Sequence, residues 1–135
     1  MKILVDSSVW SLALRRNAPD PMAAKALSSI ILASQVVIIG PIRQEVLSGI
    51  SNEAVFSRLK STLEHFDDLS IGTFDYETAA RFNNICRKNG VQGSHIDFLI
   101  CAVAVNNGLH ILSFDRDFEL FAKYLSIQLY AGGLL

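Results

Sequence analysis

The sequence predicts an α/β fold in which helices flank a mainly parallel central sheet of about five strands. Short apolar runs alternate along the chain with segments of helical periodicity, and this alternation is typical of βα units. The length of 135 residues suits one core, so we expect residues 1–135 to form a single domain. Half of the residues are hydrophobic, which is enough to fill such a core.

Five apolar runs are the predicted strands, and they cover residues 3–6, 36–39, 69–71, 109–113 and 127–130. Capping residues, prolines and glycines bound most of the predicted helices, which cover residues 7–16, 21–34, 41–49, 55–66, 73–90, 95–108 and 118–125. The helix that begins at His95 is apolar nearly all round, so we expect it to be buried.

The composition limits the class of protein and its compartment. The formal net charge of −1 provides no global basic field, which weakens a nucleic-acid-binding function without excluding it. Neither Cys86 nor Cys101 has metal-ligand spacing, so both are expected to be free thiols in a reducing cytosol. The start of the chain predicts no signal peptide, and the longest apolar run, residues 98–105, is too short to span a bilayer. We therefore expect a cytoplasmic protein without a membrane partner.

Acidic residues recur where predicted strands end or predicted helices begin. Asp6 closes the first strand, and Asp97 lies in the first turn of the apolar helix. Asp115 and Asp117 follow the fourth strand, and Glu45 lies in the helix after the second strand. Because ligands of an open α/β sheet bind beyond the carboxyl ends of its strands, we expect these acids to meet at one edge.

Carboxylates offer hard oxygen ligands, which suit Mg²⁺ or Mn²⁺ better than zinc. Each acid also has an ordinary structural explanation. Asp6 and Asp115 can cap helices, and Asp117 can interact favourably with the dipole of the helix that it begins. Glu45 can be a solvated helix residue. Asp97 is harder to explain because its neighbours are apolar, although an exposed helix start is an alternative for it.

Hydroxyl and guanidinium groups lie close to these acids in the sequence. Ser8 and Ser113 can hold a water or a phosphate oxygen, or each can be an ordinary capping or turn serine. Arg43 and Arg116 are candidates for phosphate contact, or else solvated surface charges. We therefore predict a metal site for phosphoryl chemistry in which these four side chains position the substrate.

Three segments resemble a known family, and they are ILVDSSVW at residues 3–10, PIRQEVLSG at residues 41–49 and HIDFLICAVAVNNGLHILSFDRDF at residues 95–118. In this order they resemble a PIN-domain ribonuclease and, within that family, the VapC toxins of bacterial type II toxin–antitoxin systems. Each segment alone is weakly specific, whereas the ordered set is specific and spans essentially the whole chain. Ser113 and Phe114 stand where many members carry Thr-Arg or Thr-Asn.

The resemblance implies a PIN-like domain and a metal-dependent endoribonuclease that hydrolyses RNA phosphodiester bonds with an activated water. It implies catalytic and metal-binding roles for Asp6, Glu45, Asp97 and Asp115, and a further metal-binding role for Asp117. It also implies Mg²⁺ or Mn²⁺ as the cofactor and RNA, such as tRNA or ribosomal RNA, as the substrate. A VapB-like antitoxin and a second copy of the chain are the implied partners.

Other function classes stay open. A non-catalytic PIN-fold module would bind RNA or a protein without cleaving it, and the same acids could act on DNA. A phosphoacceptor receiver domain has a similar sheet. That class needs a second acid beside Asp6 and a lysine after the last strand, and the sequence has neither.

Overall fold

The structure, a computed structural model, describes residues 1–15 and 17–131. Its centre is a sheet of four short strands, β1 (Ile3–Val5), β2 (Val36–Val37), β3 (His110–Leu112) and β4 (Gln128–Leu129). The strand order is β2-β1-β3-β4, and each neighbouring pair is parallel. The predicted α/β class and the parallel sheet are therefore confirmed.

The sheet has four strands rather than about five. Residues 69–71, which we expected to form a strand, make no ladder, and Asp68 forms an isolated parallel bridge with Ile38 instead. The N–H of Leu69 donates to the carbonyl of Ile38 at 2.9 Å. Because the segment that carries Ile38 turns into a helix at Gly40, strand pairing stops there and the fifth strand is reduced to this bridge.

Seven helices occur among the described residues, and they are α1 (Ser7–Ala13), α2 (Pro21–Leu32), α3 (Gly40–Leu47), α4 (Glu53–Leu63), α5 (Thr73–Lys88), α6 (His95–Asn107) and α7 (Asp117–Phe121). Their order matches the prediction, and most observed ends fall within a few residues of the predicted ones. In the part of the chain that the structure describes, no helix has the length and apolarity that crossing a membrane requires.

Helix α6 contributes a continuous buried segment to the core. All residues from 98 to 104 are buried, as predicted for this helix. A capping box begins it, since the Ser94 hydroxyl accepts from the N–H of Asp97 at 3.0 Å and the Asp97 carboxylate accepts from the N–H of Ser94 at 3.1 Å. Gly108 ends the helix with a φ of +65° in the left-handed region.

A polar joint holds α5 against α6. Asp75 is buried, and its two carboxylate oxygens accept from the N–H of Gly72 at 3.0 Å and from Nδ2 of Asn106 at 2.9 Å. Asn106 also donates to the hydroxyl of Thr78 at 3.3 Å. These bonds cap α5 and connect it to α6, so Asp75 has a structural role and stands apart from the predicted site.

The carboxyl ends of the strands meet at one edge because all strands run in the same direction. Val5 pairs with Leu112 at the end of the β1–β3 ladder. The N–H of Asp6 continues this ladder by donating to the carbonyl of Leu112 at 2.9 Å. The residues that follow β1 and β3, Asp6 and Ser113, are therefore brought side by side.

Candidate active site at the carboxyl edge of the sheet

Asp6 is surrounded by three hydroxyl groups. The residue is only 5% exposed and lies between β1 and α1. Its Oδ2 accepts from the hydroxyl of Ser8 at 3.0 Å and from that of Ser113 at 2.8 Å. The hydroxyl of Ser7, which donates its proton to Glu45, lies 3.4 Å from Oδ1 of Asp6. A buried carboxylate needs such partners because it has lost much of its hydration.

Ser113 links Asp6 to Asp115. Its hydroxyl donates to Asp6 and accepts from the N–H of Asp115 at 3.0 Å. The hydroxyl of Ser8 accepts from the N–H of Phe114 at 3.1 Å and lies 3.5 Å from the hydroxyl of Ser113. These bonds fix the loop after β3 against the first turn of α1. The structure thus places both predicted serines, Ser8 and Ser113, among the acids.

Asp97 lies close enough to the other two aspartates to be influenced by their charges. Burial raises the pKa of its carboxyl, and the charges of Asp115 and Asp6 raise it further, while the hydrogen bonds with Ser94 lower it. Its Oδ2 is used in the capping box with Ser94. The structure therefore brings Asp6, Asp97 and Asp115 into one neighbourhood, and it also gives Asp97 the ordinary role of an acid at a helix start.

Glu45 reaches this neighbourhood through Ser7. Glu45 is exposed on α3, and its Oε1 accepts a hydrogen bond from the Ser7 hydroxyl. The same hydroxyl contacts Asp6, so one serine connects α3 to the end of β1. The sequence alone indicates for Ser7 only the role of a possible helix cap. Its position directly after Asp6 was the available signal, because residues that follow a strand lie at the same edge as its last residue.

Asp117 and Arg116 lie on the exposed rim of the site. The N–H of Asp117 donates to Oδ1 of Asp115 at 2.9 Å, so Asp115 helps to order the start of α7. Within the described part of the chain, the side chains of Asp117 and Arg116 make no hydrogen bond and no ion pair. Both are therefore available to a ligand at the rim.

Arg43 has contacts that point away from the predicted role. Its Nε donates to Oδ1 of Asp68 at 3.0 Å, its Nη1 donates to the carbonyl of Leu63 at 2.8 Å, and its Nη2 donates to the carbonyl of Phe66. The guanidinium therefore connects α3 to the end of α4 and the segment after it. Since Arg43 stands two positions before Glu45 on one helix, the two side chains leave on different faces. The structure does not bring Arg43 to the acids.

The donor chemistry of the site fits Mg²⁺ or Mn²⁺, because the donors are carboxylate and hydroxyl oxygens. Among the described residues, no three His, Cys, Asp or Glu side chains converge closely enough to hold a metal ion. Asp6 and Asp97 direct carboxylate oxygens to hydroxyl and backbone donors instead. A carboxylate has about four lone-pair sites, so these hydrogen bonds leave acceptor capacity for a cation.

Two cavities have walls next to the acids. The larger has a volume of about 420 Å³ and lies between α3, α5 and α6. Gln44 and Ile96 line it beside Glu45 and Asp97, but none of the acids lines it. The smaller has a volume of about 200 Å³ and lies beside β3, α7 and β4. Asp115 itself lines the smaller cavity, so that cavity opens directly onto the site.

The profile of the PIN domain family matches residues 3–124 of the sequence. The chain belongs to the PIN domain family. The matched segment contains all five of the predicted acids, and it runs from β1 through α7. The resemblance of the three sequence segments to this family is therefore confirmed.

The similar proteins include VapC ribonucleases and VapBC complexes. Ribonuclease VapC11 of Mycobacterium tuberculosis is 28% identical over 130 residues, which cover 93% of this chain and 96% of the relative. DNA-bound VapBC from Salmonella typhimurium has a TM-score of 0.75 at 17% identity, covering 96% of this chain and 97% of that one. Mycobacterium tuberculosis VapC20, a sarcin-ricin loop cleaving toxin, has a TM-score of 0.67 at 19% identity, covering 94% and 99%. At these identities the solved structures show the same fold.

Proposed function

We propose that this chain is a metal-dependent endoribonuclease of the VapC toxin type. The observation that carries the proposal is the group of Asp6, Asp97 and Asp115 at one edge of the sheet, joined to Glu45 through Ser7. Membership of the PIN domain family and similarity to ribonuclease VapC11 support RNA as the substrate.

The carboxylates would hold Mg²⁺ or Mn²⁺, with Asp6, Asp97 and Asp115 as the central ligands and Glu45 and Asp117 as further ones. When bound, such an ion activates a water and stabilises charge on phosphodiester oxygens. Asp6 is the best positioned ligand because its hydrogen-bonded hydroxyls restrict its orientation.

Two carboxylate oxygens are candidates to accept the proton of the attacking water. The hydrogen bond from Ser7 engages Oε1 of Glu45 and leaves Oε2 as an acceptor. The capping box engages Oδ2 of Asp97 and leaves Oδ1.

The remaining polar groups position the RNA. Ser8 and Ser113 keep Asp6 oriented, and their hydroxyls are close enough to one another to accept from a shared water. Arg116 is exposed beside Asp115 and would contact a phosphate group, which its guanidinium can bind through two N–H donors. Arg43 is left out of this set because hydrogen bonds to Asp68, Leu63 and Phe66 hold its guanidinium away from the acids.

The proposed partners are a VapB-like antitoxin and a second copy of the chain. Similarity to VapBC from Salmonella typhimurium over 96% of this chain supports an antitoxin. A basic side chain of that partner would neutralise the acids and exclude RNA. Phe74 and Tyr76 are 68% and 56% exposed on α5, which suits burial against another protein surface. Light scattering of the chain alone and with its antitoxin measures both assemblies.

Incubation of the purified protein with total RNA in Mg²⁺, Mn²⁺ or EDTA tests the proposed activity. We expect discrete fragments with either ion, none in EDTA, and none from Asp97→Asn. Sequencing of the fragment ends then identifies the target. Cleavage of DNA alone would assign a different substrate. Binding of RNA without cleavage, unchanged in Asp97→Asn, would indicate a non-catalytic binding module.

A further inference from the structure

The smaller cavity has walls that suit a nucleobase. Its volume of about 200 Å³ lies below the roughly 300 to 1,000 Å³ of pockets that bury drug-sized ligands, so it suits a single ring system. Phe114 and Tyr130 line it, and both are partly buried against the core. Arg116 adds a positive charge to the same lining. Two aromatic rings and one guanidinium are the groups on which single-stranded nucleic acids stack.

This cavity shares side chains with the acidic site. Ser113 and Asp115 line the cavity, and both belong to the hydrogen-bonded group around Asp6. Phe114 stands between them in the chain, and its N–H is held by the Ser8 hydroxyl at 3.1 Å. A nucleobase that enters the cavity therefore lies next to any ion or phosphate group that Asp115 binds.

Backbone hydrogen bonds fix both aromatic residues. Ser8 holds the N–H of Phe114, and the N–H of Tyr130 donates to the carbonyl of Ile111 at 2.7 Å, beside β3. The two rings are thus attached to parts of the chain that also position the acids. Binding to such a surface requires little ordering of the protein, and this favours affinity.

The larger cavity between α3, α5 and α6 lacks this connection. Amide side chains and Tyr76 line it, but it contains none of the acids in its walls. When a phosphate of the RNA lies at Asp115, the base of an adjoining nucleotide lies beside the smaller cavity. The smaller cavity is therefore the better candidate for contact with the nucleotide beside the cleaved bond.

Building on the proposed ribonuclease function, we infer that this cavity receives one unpaired base adjoining the scissile phosphodiester, against Phe114 and Tyr130, while Arg116 contacts a neighbouring phosphate. Single-stranded RNA is the form of substrate that fits, because its bases are free to leave a helical stack and lie on aromatic side chains.

The test uses a short RNA oligonucleotide that spans a cleavage site found with the wild-type protein on total RNA. Phe114→Leu and Tyr130→Leu keep apolar volume but remove the ring. We expect each to lower kcat/KM about tenfold, mainly through a higher KM, since stacking binds substrate and transition state alike. Tyr124→Leu, which changes an exposed aromatic residue that lines neither cavity, is the matched control and should leave kcat/KM unchanged.

An abasic nucleotide on either side of the cleaved bond separates base contact from a general loss of structure. Wild type should lose about tenfold in kcat/KM at one of these two positions. Phe114→Leu should lose little more there, because its contact is already absent, whereas Tyr124→Leu should behave as wild type does. Equal losses in wild type and Phe114→Leu would overturn the inference and leave the ribonuclease proposal intact. If wild type cleaves no RNA, both proposals fail.

Discussion

The hydroxyl of Ser113 donates to Oδ2 of Asp6 at 2.8 Å, across 107 positions of the sequence. The same hydroxyl accepts from the N–H of Asp115, so one small side chain joins the ends of β1 and β3. The arrangement of the acids therefore depends on the parallel pairing of these two strands.

Replacement of this hydroxyl should weaken both stability and activity. Ser113→Ala is expected to lower the free energy of unfolding by about 1 to 3 kcal/mol, because the lost hydrogen bond is to a charged and buried group. Urea unfolding in EDTA measures this change. Ser113→Thr keeps the hydroxyl and should retain most of the stability, and Ser28→Ala, at an exposed serine of α2, should change little. An unfolding midpoint of Ser113→Ala equal to that of wild type would contradict this role.

Asp97→Asn should stabilise the metal-free protein at neutral pH or leave its stability unchanged, while cleavage is lost. Burial and the charges of Asp115 and Asp6 raise the pKa of Asp97 above its ordinary value of 3.8. The native state then binds this proton more tightly than the unfolded state does. Wild-type stability should therefore fall as the pH rises from the unfolded pKa through the folded pKa, and remain lower above it.

The comparison with Asp97→Ala separates charge from capping. Asparagine keeps a carbonyl oxygen that can accept from the N–H of Ser94, whereas alanine removes this one bond of the capping box at a cost of about 0.5 to 1.5 kcal/mol. Urea unfolding in EDTA over a pH series measures both variants. The advantage of Asp97→Asn over wild type should disappear below the unfolded pKa. A large loss of stability in Asp97→Asn at neutral pH would mean that the carboxylate holds the fold together.

Arg43→Ala should destabilise the fold and leave the cleavage rate per folded molecule nearly unchanged. It removes the guanidinium donor from the partly buried carbonyl of Phe66, at a cost of about 1 to 3 kcal/mol, whereas the carbonyl of Leu63 still accepts from the N–H of Phe66. Asp68→Ala removes only the half-exposed ion pair and should cost at most about 1 kcal/mol. A stable Arg43→Ala variant with greatly reduced cleavage would instead restore the predicted phosphate contact.

The local sequence pattern predicts most of the helices and strands. It also predicts that Asp6, Asp97 and Asp115 lie close together. Asp6 and Asp115 each follow an apolar run, and parallel strands must end at the same edge. The burial of α6 followed from its apolar surface, and Asp97 at its start was the position that an ordinary helix explained least well. These features depend on residues that are near one another in the sequence.

Features that depend on contacts between distant segments were not predictable. The strand expected at residues 69–71 does not form, and only Asp68 before it bridges to Ile38, because the segment of Ile38 turns into a helix at Gly40, a limit that residues 69–71 do not contain. The sequence makes Arg43 a candidate for phosphate contact or a solvated surface charge, because the backbone carbonyls that it binds, those of Leu63 and Phe66, carry no sequence signal. The contact between Ser7 and Glu45 likewise joins residues 38 positions apart.

Asn106→Ala tests the polar joint between α5 and α6. Removal of its amide leaves Oδ1 of the buried Asp75 without this donor, so we expect a loss of about 1 to 3 kcal/mol in the free energy of unfolding. Asn107→Ala is the neighbouring control, because Asn107 is exposed and its side-chain amide donates only to a carbonyl of its own helix. Thermal melts of both variants provide the measurement. Equal stability of the two variants would show that the joint is not needed to hold α5 on α6.

Calorimetric titration of the apo protein with Mn²⁺ tests the central claim most directly, namely that the strand-end carboxylates form one metal site. We predict that wild type binds Mn²⁺, that Asp97→Asn binds it much more weakly, and that Asp67→Asn, at an exposed acid outside the site, binds it as wild type does. Equal binding by all three proteins, or no binding by a wild type that cleaves RNA in EDTA, would contradict the claim.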